Sequence, residues 1–152
     1  PRQREMYGIY LKLYQALMTS IRPGPAAESI ANAHAKMTQI LEAFTFTDPK
    51  IKEAATRFVA NYAKPGRSFG HWLGMEAHDV SGVFDGVYKA GMMLTIEPAL
   101  TIPDERIYIR LEDAILITET GYENLSASLP MEMADIERVM KEQGLADFWK
   151  IK

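Results

Sequence analysis

The hydrophobic period of this chain changes at Lys64-Pro65-Gly66, and that change limits the possible folds more than any other feature. Before it, Met6, Ile9, Tyr10, Leu13 and Leu17 recur at three- and four-residue steps, the spacing that puts side chains on one face of a helix. Pro23-Gly24-Pro25 stops that pattern. Ile30, Ala33, Met37, Ile40, Leu41 and Phe44 then form a second stripe, with Glu28 near its start, where a helix dipole favours negative charge. Asp48-Pro49 opens a third helix, because an aspartate accepts from free first-turn amides and proline suits the first helical position. Ile51, Ala55, Phe58, Val59 and Tyr62 make its buried face. After the change come short, glycine-punctuated runs rich in β-branched residues: Ser68 to Leu73, Leu94 to Leu100, Ile107 to Leu111 and Ala114 to Thr118. Gly121-Tyr122 reads as a turn, Pro130 as a helix opener, and Ile136, Val139 and Met140 as one more packed face before Gly144. Helices followed by strands predict an α+β domain. No internal repeat, low-complexity tract or second domain boundary is visible.

At 152 residues and 47% hydrophobic content, the chain is long and apolar enough to bury the core of one globular domain. Its 17 basic and 20 acidic residues are interspersed, so no broad positive field exists to draw in nucleic acid or an anionic membrane. No apolar run approaches the roughly 20 residues that span a bilayer. Pro1 to Glu5 is not a secretory leader, and a chain opening on Pro1 directly before a helix is expected to be cut from a longer polypeptide. A cytoplasmic location is expected, with a secreted form left open. Cysteine is absent, so a metal would have to be held by nitrogen and oxygen.

Two of the three histidines, His71 and His78, lie in Gly70-His71-Trp72-Leu73-Gly74-Met75-Glu76-Ala77-His78-Asp79. Glycine lets backbone or ligand approach closely, so His71 is placed to reach a cleft floor that a bulkier neighbour would fill. The alternative is a hydrogen-bonded structural histidine. Glu97 in Leu94-Thr95-Ile96-Glu97-Pro98 and Glu112 in Ile109-Arg110-Leu111-Glu112-Asp113 are carboxylates inside apolar, strand-like runs. Such a charge needs a cation, a metal or several hydrogen bonds. Pairing with Arg110 or a lysine is the plain account; one imidazole and two carboxylates also make a sensible partial shell for a divalent cation such as Mn²⁺, with Co²⁺, Fe²⁺ or Zn²⁺ as other occupants.

The three segments Gly-His-Trp-Leu-Gly-Met-Glu-Ala-His-Asp-Val, Gly-Met-Met-Leu-Thr-Ile-Glu-Pro and Ile-Arg-Leu-Glu-Asp, in this order over residues 70 to 113, resemble those of the pita-bread metallopeptidases. Xaa-Pro aminopeptidases are the nearest match, and Thr120 to Ser126 also fits. The resemblance implies a curved antiparallel sheet backed by helices, of which this chain supplies mainly the second half. On that basis residues 1–152 are the C-terminal portion of a catalytic domain whose N-terminal part lies outside the chain. It further implies two divalent metal ions held by His71, Glu97 and Glu112 together with two aspartates preceding residue 1, Glu112 bridging the pair. Hydroxide shared by the two ions would attack the bond before proline. His78 would be a catalytic non-ligand that hydrogen-bonds the substrate carbonyl, Glu97 a catalytic ligand, and Arg110 and Trp72 substrate-side residues. For Arg110 simple charge compensation stays open, for Trp72 simple packing, and for His78 a role pinned by Asp79. His34 reads as solvated surface.

The implied function is a metal-dependent exopeptidase acting on peptides with proline at the second position. The alternatives are an Xaa-Pro dipeptidase (prolidase) or a non-catalytic pita-bread protein-binding module. The implied partners are that peptide, the missing N-terminal half and a further copy of the chain; the isolated chain is expected to be inactive. The sequence departs from the family pattern at Arg67, where many members carry histidine, at Ala99 and Thr101, and at Ser81. These positions border the implied substrate cleft and put fine substrate preference in doubt, not the ligands.

Overall fold

The computed structural model describes residues 1–79 and 84–144, so Ser81 lies outside the described residues. The three expected helices form: α1 Arg2–Met18, α2 Ala26–Ala43 and α3 Pro49–Asn61. The predicted stripe of α1 is buried, with Ile9, Tyr10, Leu13 and Leu17 at 0% exposure and Met6 at 6%, and Tyr14, outside that stripe, is also at 0%. Leu11, Ala16 and Met18 are buried as well, so α1 is the central helix, packed on α2, α3 and the strands. In α2, Ile30, Ala33 and Met37 are buried while Ile40, Leu41 and Phe44 are half-buried, the stripe thinning toward its end. His34 is half-buried, not freely solvated as its polar neighbours suggested. Asp48 caps α3 as expected, its carboxylate accepting from the amides of Lys50 (2.8 Å) and Ile51 (3.3 Å).

Leu94 to Leu100, expected as one strand, is two: β3 Met93–Ile96 and β4 Ala99–Ile102. Numbered in chain order, β1 Gly24–Pro25 and β2 Val87–Tyr88 precede them as a short antiparallel pair that sequence patterning did not reveal. The return pass is broken too, into β5 Ile107–Arg110 and β6 Asp113–Ile117. β3 pairs antiparallel with β6 and β4 with β5, in one continuous register: Ile96 faces Asp113, and Ala99 faces Arg110. Between these ladders Glu97 falls opposite Glu112 and Pro98 opposite Leu111. Pro98 has no amide hydrogen to give, so the ladder opens there.

Alternation along this interrupted hairpin sorts its side chains. Leu94, Ile96, Leu100, Ile102, Asp113, Ile115 and Ile117 are buried toward the helices. Thr95, Glu97, Ala99 and Thr101 share the opposite face with Tyr108, Arg110 and Glu112. The domain is therefore one layer of helices on one layer of strands, with the chemistry on the side away from the helices. β7 Tyr122–Asn124 adds to the free edge of β6; the turn before it is closed by Thr118 and Gly121, and Tyr122 already belongs to the strand.

Ser68 to Leu73 makes only a single bridge, Trp72 to Leu94, rather than the expected strand. Its backbone still follows β3: the Thr95 amide donates to the His71 carbonyl (2.9 Å) and the Leu73 amide to the Met93 carbonyl (3.1 Å). Gly70 makes that approach possible, since a Cβ there would lie 2.2 Å from the Thr95 carbonyl oxygen. The last helix, α4 Met133–Val139, starts after Pro130 rather than at it. The packed face expected on it is absent: Ile136 is only half-buried, Val139 is 39% exposed and Met140 79%. Polar contacts attach α4 instead, including Tyr7 to the Met131 carbonyl (2.7 Å) and Arg4 to Glu137 (2.5 Å). No helix among the described residues is long and apolar enough to cross a membrane.

In the full-length protein Gly70→Ala is expected to force the His71 segment off β3 at a cost of about 1–3 kcal/mol, the range for overpacking at a rigid contact. Urea denaturation checks this; an unchanged midpoint would refute the close approach.

Candidate metal centre

His71 is held by its backbone on β3, and its amide donates to Thr95 Oγ1 (3.1 Å). Its ring Nδ1 lies 3.0 Å from the Trp72 carbonyl oxygen. An N–H donated there leaves Nε2 as a bare lone pair, which is how a second contact commonly orients a metal-binding histidine. Nε2 faces Glu97 Oε1 at 3.2 Å and Glu112 Oε1 at 3.8 Å. A lone pair and a carboxylate oxygen repel at that range unless a proton or a cation stands between them.

Glu97 is the more enclosed carboxylate, with its side chain 17% exposed against 45% for Glu112. Thr95, two residues earlier on the same face, directs its hydroxyl to Glu97 Oε1 at 3.5 Å. Arg110 reaches both acids from the site face of β5, with Nη1 2.8 Å from Glu97 Oε2 and Nη2 3.8 Å from Glu112 Oε2. Charge compensation, the plain reading of Arg110, is thus present in the geometry. It leaves Oε1 of each acid turned toward His71.

His78 is exposed, with its ring centroid 4.2 Å from that of His71. Donor atoms of His71, His78 and Glu97 all lie within 4.8 Å of one another, a grouping of two imidazoles and one carboxylate. Glu112 sits outside this tight set while remaining beside His71. The donors are all nitrogen and oxygen, a chemistry that suits Mn²⁺, Co²⁺, Fe²⁺ or Zn²⁺, so the residues fit a divalent cation. Asp79 accepts from the Met75 amide (3.2 Å) and donates its own amide to the Trp72 carbonyl (3.2 Å), shaping the loop that carries His78. Trp72 packs edge-on against Phe84 (5.1 Å) and Tyr88 (6.2 Å). Arg67 lies over the Tyr62 ring at 5.1 Å.

Sequence reasoning missed two contributors. Thr95 was detectable in principle as a hydroxyl one strand period from Glu97. Asp113, only 5% exposed, is a third acid inside the same apolar run as Glu112; it faces the helices and accepts from Tyr14 (2.5 Å) and Asn124 (3.1 Å).

The model of Metallopeptidase family M24 matches residues 1–119, and the chain belongs to that family. It is 34% identical over 149 residues to Intermediate cleaving peptidase 55, mitochondrial, of Arabidopsis thaliana, covering 91% of this chain and 28% of that protein. It is 36% identical over 153 residues to the Xaa-Pro aminopeptidase of Escherichia coli, covering 91% of this chain and 34% of the relative. The solved structure of zinc-substituted E. coli aminopeptidase P in complex with product superimposes with a TM-score of 0.66 at 32% identity, over 93% of this chain and 35% of that one. The fold is accordingly the expected pita-bread α+β fold, and the chain spans about a third of the length of these relatives.

Arg110 is the counter-charge of two facing acids, the role a cation held between them would share. In full-length protein stripped of metal, Arg110→Met is expected to cost about 1 kcal/mol or less, the scale of a partly exposed ion pair. Divalent cation should raise the melting temperature of the variant more than that of the wild type. Equal increments would show that Arg110 does not neutralise these carboxylates.

Proposed function

We propose that this chain carries the histidine and glutamate ligands of a metal-dependent exopeptidase that cleaves Xaa-Pro bonds at peptide N-termini. The observation that carries the reading is the convergence of both acids on one imidazole nitrogen, with Glu97 Oε1 3.2 Å and Glu112 Oε1 3.8 Å from His71 Nε2. Membership of a metallopeptidase family and the names of the relatives support it. His71, Glu97 and Glu112 would hold the metal, with further carboxylates supplied from outside the chain. Divalent ions in such a shell supply Lewis acidity and a water of lowered pKa.

The chain's own residues do the rest. The Trp72 carbonyl fixes the His71 tautomer that leaves a lone pair for binding. Thr95 and Arg110 hold Glu97 by separate oxygens, which restricts its rotation. His78, exposed and adjacent to His71, is placed to donate to a substrate carbonyl as negative charge develops on it, where a donor counts most. Arg110 stays in reach of a substrate end as well as of both acids. Mn²⁺ is the occupant proposed, and peptides with proline second the substrates. By itself the chain has too few ligands for turnover.

Glu97→Gln and Glu112→Gln in the full-length protein keep shape while removing charge. Each is expected to lower Mn²⁺ retention and to reduce cleavage of a proline-second peptide by about 100-fold or more. Wild-type metal content and turnover in both variants would reject the assignment. His78→Ala is expected to lower kcat while retaining metal, the split that separates a donor from a ligand.

A further inference from the structure

The hydroxyls of Tyr10 and Tyr14 between them contact the four residues that flank the facing glutamates. Both residues lie on α1, four apart and fully buried, with ring centroids 6.0 Å from each other. The Tyr10 hydroxyl accepts from the Leu111 amide (2.6 Å) and donates to the Pro98 carbonyl (2.8 Å). Pro98 and Leu111 face each other in the strand register, so this single oxygen stands where a direct ladder bond would close the hairpin. The Tyr14 hydroxyl lies 2.5 Å from Asp113 Oδ2 and 3.1 Å from the Ile96 carbonyl. Residues 96 and 98 bracket Glu97; residues 111 and 113 bracket Glu112.

We infer that Tyr10 and Tyr14 are positioning residues for the metal site, holding the hairpin open so that Glu97 and Glu112 diverge enough to share cations. This rests on the reading of those glutamates as metal ligands. The tyrosines touch neither glutamate side chain; they act on the opposite face of the strands, Tyr10 through backbone atoms and Tyr14 through the Asp113 carboxylate and the Ile96 carbonyl. Without Tyr10, the Leu111 amide and Pro98 carbonyl are free to bond each other, which would draw the two carboxylates together. Without Tyr14, Asp113 loses its shortest hydrogen bond and the first residue of β6 loses its anchor to the helix layer. The geometry is tetherlike rather than catalytic, and its effect belongs in metal affinity.

The test uses full-length protein, with Mn²⁺ alone as the probe. Tyr10→Phe and Tyr14→Phe retain the buried rings, and Tyr62→Phe, at the end of α3, removes a hydroxyl from another buried ring, one that makes no hydrogen bond to the hairpin. Each of the first two is expected to weaken Mn²⁺ binding by about 10- to 100-fold, the range for losing an outer contact of a metal ligand. The visible spectrum of the Co²⁺-substituted protein should shift with them. Tyr62→Phe should leave both readouts at wild-type values. Folding is followed in parallel by circular dichroism; if Tyr14→Phe cannot fold around a less satisfied Asp113, the double variant Tyr14→Phe/Asp113→Asn removes that charge and is read the same way. Unchanged affinity and spectrum in folded Tyr10→Phe and Tyr14→Phe overturn the inference. Glu112→Gln separates the two levels: if it loses Mn²⁺ while the tyrosine variants keep it, only the positioning role falls. If Glu112→Gln also keeps it, the ligand reading falls and the positioning role with it.

Discussion

Two carboxylates facing each other across a gap in an antiparallel hairpin are the constraint around which this domain is arranged. Like charges opposite one another destabilise a strand pair, and Glu97 is enclosed enough that water cannot relieve it cheaply. The surroundings answer with whatever positive or donating groups the strands can bring. Arg110 takes Oε2 of Glu97, Thr95 offers a hydroxyl to Oε1, and His71 presents Nε2 between the acids. A fold that only needed stability would put hydrophobic residues here, since a partly buried ion cluster seldom outperforms packed side chains. Retaining two acids, two imidazoles and one arginine within a few ångströms makes sense as a site whose remaining charge is completed by a cation.

The helical layer is what allows those acids to sit at a break in the ladder. An unpaired stretch of backbone in the middle of a sheet leaves donors and acceptors that must be satisfied elsewhere. Tyr10 satisfies the pair at Pro98 and Leu111, while Tyr14, beside the last paired rung at Ile96 and Asp113, donates to the Asp113 carboxylate. Burial pushes both phenols well above the ordinary tyrosine range, so their protons stay in place for donation. From Asp113 the hydrogen bonds run on: Asn124 donates to its Oδ1 and accepts from the Ser126 amide, and Ser126 Oγ accepts from Ala114. The segment after Gly121 therefore closes the same network from the far edge of β6. The site face and the helix face of the hairpin are joined through a few polar groups in an otherwise apolar core.

Helices were legible because their stripes are local: the caps at Asp48 and Pro49 and the burial of Ile9, Leu13 and Leu17 follow from residues within a few turns. The acids were legible as anomalies, charges in runs where burial forbids uncompensated charge. What was hidden depended on distance along the chain. Tyr14 and Asp113 lie 99 positions apart, and nothing in either neighbourhood announces the other. Leu94 to Leu100 scored as one strand because propensity is continuous across it, whereas the break comes from the missing amide of Pro98 and a hydroxyl inserted by another element. Ser68 to Leu73 carries strand-like residues yet makes one bridge, its backbone being set by the contact of Gly70 with Thr95. The terminal helix misled in the opposite sense: Val139 and Met140 have apolar side chains but no partner surface among the described residues, and spacing cannot say whether one exists.

Of the departures from the family pattern that lie among the described residues, two, Ala99 and Thr101, are on β4 and one, Arg67, follows α3. Ala99 pairs with Arg110, and Thr101 with Tyr108, whose ring lies 6.0 Å from the Arg110 guanidinium carbon. These four side chains continue the face that carries Glu97 and Glu112, Ala99 and Arg110 one strand period further out and Thr101 and Tyr108 two. A small residue at Ala99 leaves space beside Arg110, and the exposed Tyr108 ring offers it a second place to lie. Arg67, with its charge over Tyr62, belongs to the end of α3, and Ala99 and Thr101 share a hollow with that helix. None of these three residues supplies a donor atom beside His71, Glu97 or Glu112, whereas Ala99 faces Arg110. The guanidinium that pairs with the acids thus lies directly opposite one of these departures, Ala99, and beside the partner of another, Tyr108.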